Sequence, residues 1–277
     1  MELSTEHFVR IRDVVYRKLG LFFEENKVYF MKRRVQARMD ALGMLDPAEY
    51  IFFLAHADVD GAEMQQLANL VTTNETYMFR EHEQLEAFAN YCLPEVLEAK
   101  MNRGEKTLNI WSAGCSSGEE PYTLAIILRE VIPAFHSWQV QILATDIDQE
   151  MLAMVSRARY CERSVKFVPA EYRQRHIIPD NEEYRIHPDT AALVVARHLN
   201  LSDRAAMRQM RGFDFIFCRN VLIYFDDASR KAAVDHFYNA LSPAGFIFLG
   251  HSESIGRITN AFKLRRVAEH LVYCKAA

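Results

Sequence analysis

The segment Ser112–Pro121 (SAGCSSGEEP) combines two glycines with two acidic residues where a strand pattern changes into a helical one. Glycines there let the backbone approach a nucleotide-like ligand, although an ordinary strand-to-helix turn has the same composition. A dinucleotide pyrophosphate needs free N–H groups at a helix N-terminus, and Glu119 and Glu120 would repel it. With the GxxxG spacing, these carboxylates favour S-adenosylmethionine, a cation without phosphate, over NAD.

Two aspartates follow the second predicted strand, in the segment ATDID. Asp146 comes directly off the strand, where an acidic side chain can accept hydrogen bonds from both ribose hydroxyl groups of an adenosine. Asp148 precedes a helical pattern that begins at Gln149, so we assign it to the N-cap of that helix. The interval from the glycine loop to Asp146 is longer than dinucleotide sites use, which again argues against NAD.

A third polar segment, Arg219–Asp226 (RNVLIYFD), follows the apolar run Phe213–Cys218. Polar groups at the carboxyl end of a strand lie beside the crevice of an open α/β sheet. Asn220 could therefore hydrogen-bond the ligand and Tyr224 could reach the reacting centre. The alternative for Tyr224 is a place in the core.

The segment Thr72–Glu81 (TTNETYMFRE) mixes polar residues with large aromatic ones. A polar linker with a helix cap explains its first three residues. It does not explain Arg80 beside Tyr77 and Phe79, where a guanidinium group could bind a carboxylate of the cofactor or of a substrate.

A parallel sheet is predicted to position these segments, because short apolar runs alternate with helical patterns from about residue 108. The predicted strands are Leu108–Ala113, Val140–Thr145, Phe213–Cys218 and Phe246–Gly250, and the predicted helices are Glu120–Val131, Gln149–Arg159 and Ala228–Leu241. Residues 262–274 are predicted to form two strands around a turn, as an antiparallel edge. A small β insertion is predicted over about 165–198.

Residues 1–70 show only helical patterns, including a first apolar stripe that ends before Gly20 and the stripe of Met31, Val35 and Met39 that is closed by Gly43. These helices can enclose little core alone, so we expect them to pack on something larger. The predicted organisation is a helical domain over 1–70, a linker helix region over 71–107 and an α/β domain over 108–277.

Composition excludes several classes of protein. The 277 residues contain 33 Lys and Arg against 37 Asp and Glu, a formal charge of −4, which argues against nucleic acid as a partner. No apolar run approaches the roughly 18 residues of a membrane span. The N-terminus lacks the apolar stretch of a signal peptide. The five cysteines form no CxxC pair and the histidines no HxxxH motif, so we predict no metal and a reducing, cytoplasmic location.

Five segments in the same order, namely TTNETYMFRE, WSAGCSSGEEPYTLAIIL, ATDID, FCRNVLIYFD and LGHSES, resemble the CheR-type chemotaxis protein-glutamate O-methyltransferases. The resemblance covers about residues 10–275. It implies an all-α N-terminal domain, a linker helix and a Rossmann-like S-adenosylmethionine-dependent methyltransferase domain with an inserted small antiparallel β subdomain. It implies a cofactor site that, with Gly114 of the glycine loop, comprises Asn74, Thr76, Arg80, Glu120, Asp146, Asn200, Leu201, Asn220 and Val221.

The reaction implied by the resemblance is methylation of glutamate side chains on the cytoplasmic helical region of chemoreceptors, with S-adenosylhomocysteine as the product. Arg80 and Tyr224 would lie nearest the transferred methyl group. A glutamate is already ionised at neutral pH, so it needs no general base. Basic residues between Lys27 and Arg38 suggest that Arg34 and Arg38 dock an acidic receptor helix, although a solvated helix face is equally compatible with them.

One departure from the family pattern concerns the β insertion. Relatives that bind a receptor's C-terminal pentapeptide carry a glycine in a loop that corresponds here to Ile178–Tyr184, which has none. We therefore predict no pentapeptide tethering. Two alternatives remain: a carboxyl methyltransferase of the same fold in a non-chemotaxis pathway, and a non-catalytic module that binds S-adenosylmethionine or S-adenosylhomocysteine.

Overall fold

The computed structural model describes residues 3–256, 258–267 and 269–276. Its N-terminal part is helical, with short turns of 3-10 helix at Glu25–Lys27 and π-helix at Phe53–Ala57. The α-helices of this part are α1 (Thr5–Leu19), α2 (Val28–Leu42), α3 (Pro47–Phe52) and α4 (Ala62–Val71). Gly20 and Gly43 end α1 and α2 in the left-handed conformation that favours glycine, as the sequence predicts. Helix α4 was not predicted.

A linker helix joins this part to the sheet. It comprises α5 (His82–Ala87), a π-helical turn (Phe88–Cys92) and α6 (Leu93–Asn102). The buried ring of Phe88 meets Phe215 and Phe217 edge-on, with ring centroids 4.9 and 5.2 Å away. Edge-on packing of this kind adds to the free energy of burial, so Phe88 fastens the linker to one face of the sheet.

A seven-stranded sheet forms the centre of the α/β domain. Its strands in chain order are β1 (Thr107–Ala113), β2 (Gln139–Asp146), β6 (Val194–His198), β7 (Phe213–Cys218), β8 (Leu241–Leu249), β9 (Lys263–Val267) and β10 (His270–Cys274). The order across the sheet is β6-β2-β1-β7-β8-β10-β9. The first five strands are parallel, whereas β9 and β10 form the predicted antiparallel edge.

Helices connect the parallel strands. They are α7 (Glu119–Val131), α8 (Gln149–Arg157), α12 (Arg204–Arg208) and α13 (Asp227–Ala240). The strands and long helices of this domain therefore lie where the apolar patterns predict them, with ends that differ by a few residues. The largest difference is β8, which begins five residues before the predicted start.

A small antiparallel sheet is inserted after α8. It consists of β3 (Arg159–Tyr160), β4 (Ile177–Asp180) and β5 (Glu183–Ile186), with β5 in the middle. Short helices accompany it: α9 (Glu162–Val165), α10 (Ala170–His176) and α11 (Pro188–Ala191). The predicted insertion over 165–198 is thus wrong at both ends. It starts at Arg159, and Val194–His198 belongs to the large sheet, parallel to β2, because a β-rich run does not reveal which sheet it joins.

The N-terminal helices and one face of the large sheet share a continuous core. Phe8 and Met31 from the helices belong to the same buried cluster as Trp111 and Phe237 of the α/β domain. The indole N–H of Trp111 donates to the hydroxyl group of Thr145 at 2.8 Å, so its polar atom is satisfied within that core. The helices therefore pack against the sheet as the sequence predicts. No helix of the described residues is long and apolar enough to cross a membrane.

Candidate active site

A cleft opens at the carboxyl ends of β1, β2 and β7, where the chain order of the sheet reverses. Open α/β sheets bind their ligands at this point. All eleven residues predicted to bind the cofactor or act in transfer line it: Asn74, Thr76, Arg80, Gly114, Glu120, Asp146, Asn200, Leu201, Asn220, Val221 and Tyr224. These residues come from five separate stretches of the chain, one in the linker region and four in the α/β domain.

The glycine loop turns sharply after β1. Gly114 has φ +77°, and a Cβ atom on it would lie 2.4 Å from Cγ2 of Val221. Gly118 has φ +101°, and a Cβ atom there would lie 2.7 Å from the hydroxyl oxygen of Tyr160. Both positions therefore require glycine, since a larger residue would push the loop away from the strand ends that form the cleft.

The two glutamates that follow the loop have different surroundings. Glu119 is buried, and its carboxylate accepts hydrogen bonds from the hydroxyl groups of Ser117 at 2.6 Å and Ser164 at 2.8 Å. Glu120 lines the cleft and accepts a hydrogen bond from Ser112 at 2.7 Å. The prediction that both carboxylates face a cationic ligand therefore needs correction, because only Glu120 reaches the cleft.

Asp148 has the capping role that the sequence predicts, and Asp146 lies in the wall of the cleft. Asp148 caps α8 through hydrogen bonds from the backbone of Glu150 and Met151. Asp146 lies at the tip of β2, and each of its carboxylate oxygens accepts one backbone N–H, from Ser116 at 2.7 Å and from Asp148 at 2.9 Å. Burial raises the pKa of Asp146. Each oxygen keeps a further lone pair, so the carboxylate has the acceptor capacity that two ribose hydroxyl groups require.

Asn74 and Thr72 connect the linker segment to Asp148 through hydrogen bonds. Both side chains donate to Oδ2 of Asp148, at 2.9 and 3.0 Å. The carbonyl oxygen of Asn74 also accepts from the hydroxyl group of Ser116 at 3.3 Å. Asn74 therefore joins the linker, the glycine loop and α8, and this junction forms one wall of the cleft.

Arg80 and Tyr224 are half-buried residues of the cleft wall. Arg80 donates from Nη1 to the main-chain oxygen of Glu75 at 2.9 Å, which leaves further N–H groups for an anionic partner. The Tyr224 hydroxyl group has no hydrogen-bond partner among the residues that the structure describes. The main-chain oxygen of Tyr224 accepts from the N–H of Phe22 at 2.9 Å, so the N-terminal domain contacts this loop directly.

The other predicted cofactor residues help to hold the cleft together. Asn200 donates to the main-chain oxygen of Lys18 at 2.9 Å and accepts from the N–H of Ser202 at 2.8 Å. Asn220 adopts φ +60°, and its N–H donates to Glu253 at 2.8 Å. Glu253 belongs to the segment LGHSES, whose place near the cleft is thereby explained.

Sequence reasoning missed two parts of the site. Leu19, Leu21 and Phe23 of the N-terminal domain line the cleft, although no local signal at the end of α1 or just after it distinguishes them from core residues. Arg219 lies in the quoted segment RNVLIYFD, yet its ion pairs with Glu81 and Glu120 reach across 138 and 99 residues of sequence. Only the folded chain brings these groups together.

The residues of the cleft fit S-adenosylmethionine. Asp146 would accept from the ribose, Glu120 would face a cationic group, and Ile147, Leu199 and Leu201 supply apolar surface for the adenine. Burial raises the pKa of Glu120 despite the opposing Arg219 guanidinium, so a ligand cation would stabilise its charged form. Burial also raises the pKa of Cys115 and Cys218, which makes both thiols poor nucleophiles.

Arg34 and Arg38, the predicted docking residues, have internal partners in the structure. Arg34 donates to the main-chain oxygen of Leu70 at 2.6 Å, and its guanidinium group lies over the ring of Phe30. Arg38 forms a two-pronged ion pair with the buried Glu63, at 2.9 and 2.6 Å. Their docking role stays a prediction, and each side chain would have to exchange an internal partner for a receptor carboxylate.

Comparison with known proteins shows the family. Residues 74–270 match the CheR methyltransferase S-adenosylmethionine-binding domain, and residues 6–72 match the CheR methyltransferase all-alpha domain. Chemotaxis protein methyltransferase 2 of Vibrio cholerae is 37% identical over 99% of this chain and 94% of its own length. The chemotaxis protein methyltransferases of Salmonella typhimurium and Escherichia coli are 33% and 32% identical over 96% of this chain, covering 89% and 90% of their own lengths.

Proposed function

This chain belongs to the CheR methyltransferase family, and from that premise we propose that it methylates glutamate side chains of chemoreceptors during chemotaxis. It is an S-adenosylmethionine-dependent methyltransferase. One observation supports a glutamate carboxylate as the methyl acceptor. The acidic residues Glu120 and Asp146 line the same cleft as the guanidinium group of Arg80. The acidic residues suit a cationic methyl donor, and Arg80 suits an anionic acceptor.

The reaction requires little from the protein beyond the positioning of the methyl donor and the acceptor carboxylate. The bound cofactor supplies an electrophilic methyl group on a sulfonium. A glutamate carboxylate is ionised near neutral pH and needs no general base, and the described residues that line this cleft include no histidine. Arg80 would steer and orient the carboxylate, and Tyr224 would hydrogen-bond near the reactive groups. The apolar wall of Leu19, Leu21 and Phe23 would exclude water, which strengthens these electrostatic interactions.

Helix α2 is the proposed docking surface for the receptor. Lys27 and Arg33 are exposed, and Lys32 is half-buried. With Arg34 and Arg38 they give residues 27–38 an excess of positive charge that would complement an acidic helix, and such surface charges act mainly on the association rate. We expect the double substitution Lys32→Glu/Arg33→Glu to lower kcat/KM for a receptor fragment while the affinity for S-adenosylhomocysteine stays unchanged. A fall in cofactor affinity of the same size would refute the docking role.

Label transfer tests the proposed reaction. The protein is incubated with tritiated S-adenosylmethionine and a cytoplasmic receptor fragment, and we expect a base-labile label on glutamate. Replacing the labelled glutamate by glutamine is expected to abolish it. Tyr224→Phe and Arg80→Ala should both slow the transfer, and normal turnover of both variants would refute their roles. Cofactor binding without transfer to any receptor fragment would favour the non-catalytic alternative. Transfer only to a receptor outside chemotaxis would favour the second alternative, a carboxyl methyltransferase of a non-chemotaxis pathway.

The inserted β sheet bears on receptor tethering. Asp180 pairs with Glu183, so only Asn181 and Glu182 form the turn between β4 and β5. So tight a hairpin offers no loop to enclose a peptide, and we propose that the protein does not bind a receptor's C-terminal pentapeptide. Measurable heat of binding of such a peptide in calorimetry would overturn this.

We also propose a cytoplasmic location, in keeping with five free cysteines.

A further inference from the structure

A buried cluster of three charged side chains lies at the floor of the cleft. The Arg219 guanidinium group contacts Glu81 at 3.2 Å and Glu120 at 3.4 Å. The three side chains are only 5%, 11% and 14% exposed. Removing charges from water is costly, and an arginine between two carboxylates compensates part of that cost for both. The cluster carries a net charge of −1 when all three groups are ionised.

Arg219 is also fixed in place by the main chain. Its Nη2 donates to the main-chain oxygen of Arg80. The residues on either side of Arg80 adopt left-handed conformations, with φ +61° at Phe79 and +57° at Glu81. Such conformations persist only where surrounding contacts hold them. If the Arg219 guanidinium group moved to another partner, the segment Phe79–Glu81 would lose a hydrogen bond that holds its strained conformation.

We propose that Arg219 is a positioning residue of the cofactor site, whose guanidinium group keeps the buried Glu120 carboxylate ionised and so available to a cationic ligand. Arg219 itself acts through Glu120. The inference concerns the cofactor side of the cleft, so it does not depend on which carboxylate accepts the methyl group.

The surroundings of Glu120 give the direction of the effect. Burial is the main cause that raises the pKa of Glu120, and the charge of Glu81 raises it further. Arg219 is the main cause that lowers it, followed by Ser112, while Arg80 contributes less. The titratable or charged groups that face Glu120 from the linker, the glycine loop, the end of β7 and the segment after it are Arg80, Glu81, Cys115, Cys218 and Arg219. Without Arg219, Glu120 would take up a proton at a higher pH.

The test begins with the full chain free of cofactor. The carboxyl groups of its glutamates are labelled with carbon-13, and the Glu120 signal is assigned by its loss in Glu120→Gln. In Arg219→Gln we expect this signal to titrate at least about one pH unit higher than in the unmodified protein. In Glu81→Gln we expect the opposite shift. Arg219→Lys keeps the charge, so its titration should stay near that of the unmodified protein.

Calorimetry then measures S-adenosylmethionine binding. The affinity of Arg219→Gln relative to the unmodified protein should fall roughly tenfold between about pH 8.5 and about pH 6, because protonated Glu120 carries no charge. Taking the ratio removes the pH dependence of the ligand's own groups. A ratio that does not change with pH would overturn the proposal.

Lys100→Met is the matched control. Lys100 pairs with Asp214 at 2.9 Å, both side chains are buried, and neither lines the cleft. This variant also loses a buried cation, so it should lose stability, yet the Glu120 titration should not move. An equal shift in Lys100→Met, or an unchanged titration in Arg219→Gln, would refute the inference. If Arg219→Gln does not fold, the downward shift in Glu81→Gln decides, and its absence would refute the proposal.

Discussion

Gly20 offers a sharp test of how the N-terminal domain completes the cleft. It ends α1 with φ +74°, and a Cβ atom there would lie 1.7 Å from the hydroxyl oxygen of Ser202. Gly43 ends α2 with φ +68° and would meet nothing within 4 Å. Alanine at either glycine pays the cost of the left-handed conformation, about 1–2 kcal/mol. Only Gly20→Ala also forces two domains apart, which should add about 1–3 kcal/mol.

The assay compares free energies of unfolding in urea for Gly20→Ala, Gly43→Ala and Gly20→Ala/Ser202→Gly. The double variant removes the obstructing side chain. Alanine at position 20 should therefore lower the free energy of unfolding no more than alanine at position 43 does. Calorimetry with S-adenosylhomocysteine provides a functional measure. Leu19 and Leu21 flank Gly20 and line the cleft, so Gly20→Ala should weaken binding whereas Gly43→Ala should not.

The result that would refute this reasoning is equal destabilisation by both alanines, with no recovery when Ser202 becomes glycine. Equal cofactor affinity in Gly20→Ala and the unmodified protein would show that the apolar wall from α1 does not contribute to binding. Because both single variants place alanine in the same conformation, the comparison isolates the contact with Ser202.

Three further predictions concern the cofactor site, the core and the inserted subdomain. Asp146→Asn should weaken S-adenosylhomocysteine binding at least about tenfold in calorimetry, since the lost charge-assisted hydrogen bonds contribute about 1.5–3 kcal/mol. Phe88→Ala should lower the free energy of unfolding by about 3–5 kcal/mol, whereas Phe167→Ala, 56% exposed, should change it by less than about 1 kcal/mol; equal losses would contradict the packing argument. Burial lowers the pKa of His176 despite its contact with Glu130, so the unfolded chain binds that proton first as the pH falls. Below about pH 6.5 the unmodified protein should therefore lose stability relative to His176→Gln, measured in urea at several pH values.

The parts of the structure with strong local signals were predictable from sequence. The apolar runs gave the main strands, and Gly20 and Gly43 gave the ends of two helices. Asp148 was correctly assigned to a helix cap because it precedes a helix, and Asp146, which follows the strand directly, lines the cleft. The cleft also brings together every residue that the family resemblance assigned to the cofactor.

The missing parts depend on partners far away in the chain. Strand Val194–His198 was assigned to the small sheet because its neighbour β2 lies about 50 residues earlier, and no local pattern selects between two sheets. Glu119 was expected in the cleft, but its partner Ser164 is 45 residues away. Likewise, Arg38 gave no sign of its ion pair with Glu63, 25 residues away.

The common core of the helices and the sheet limits how this protein can be recombined. Family models divide the chain near residue 73, yet the apolar cluster that contains Phe8 and Trp111 crosses that division without a break. In a chimera that takes its first 72 residues from a relative, the helices would present an apolar surface that is complementary to the relative's sheet and not to the sheet of this protein. The outward side of helix α2, the proposed docking surface, is free of this constraint, so we expect its residues to vary while the buried side stays matched to its own sheet.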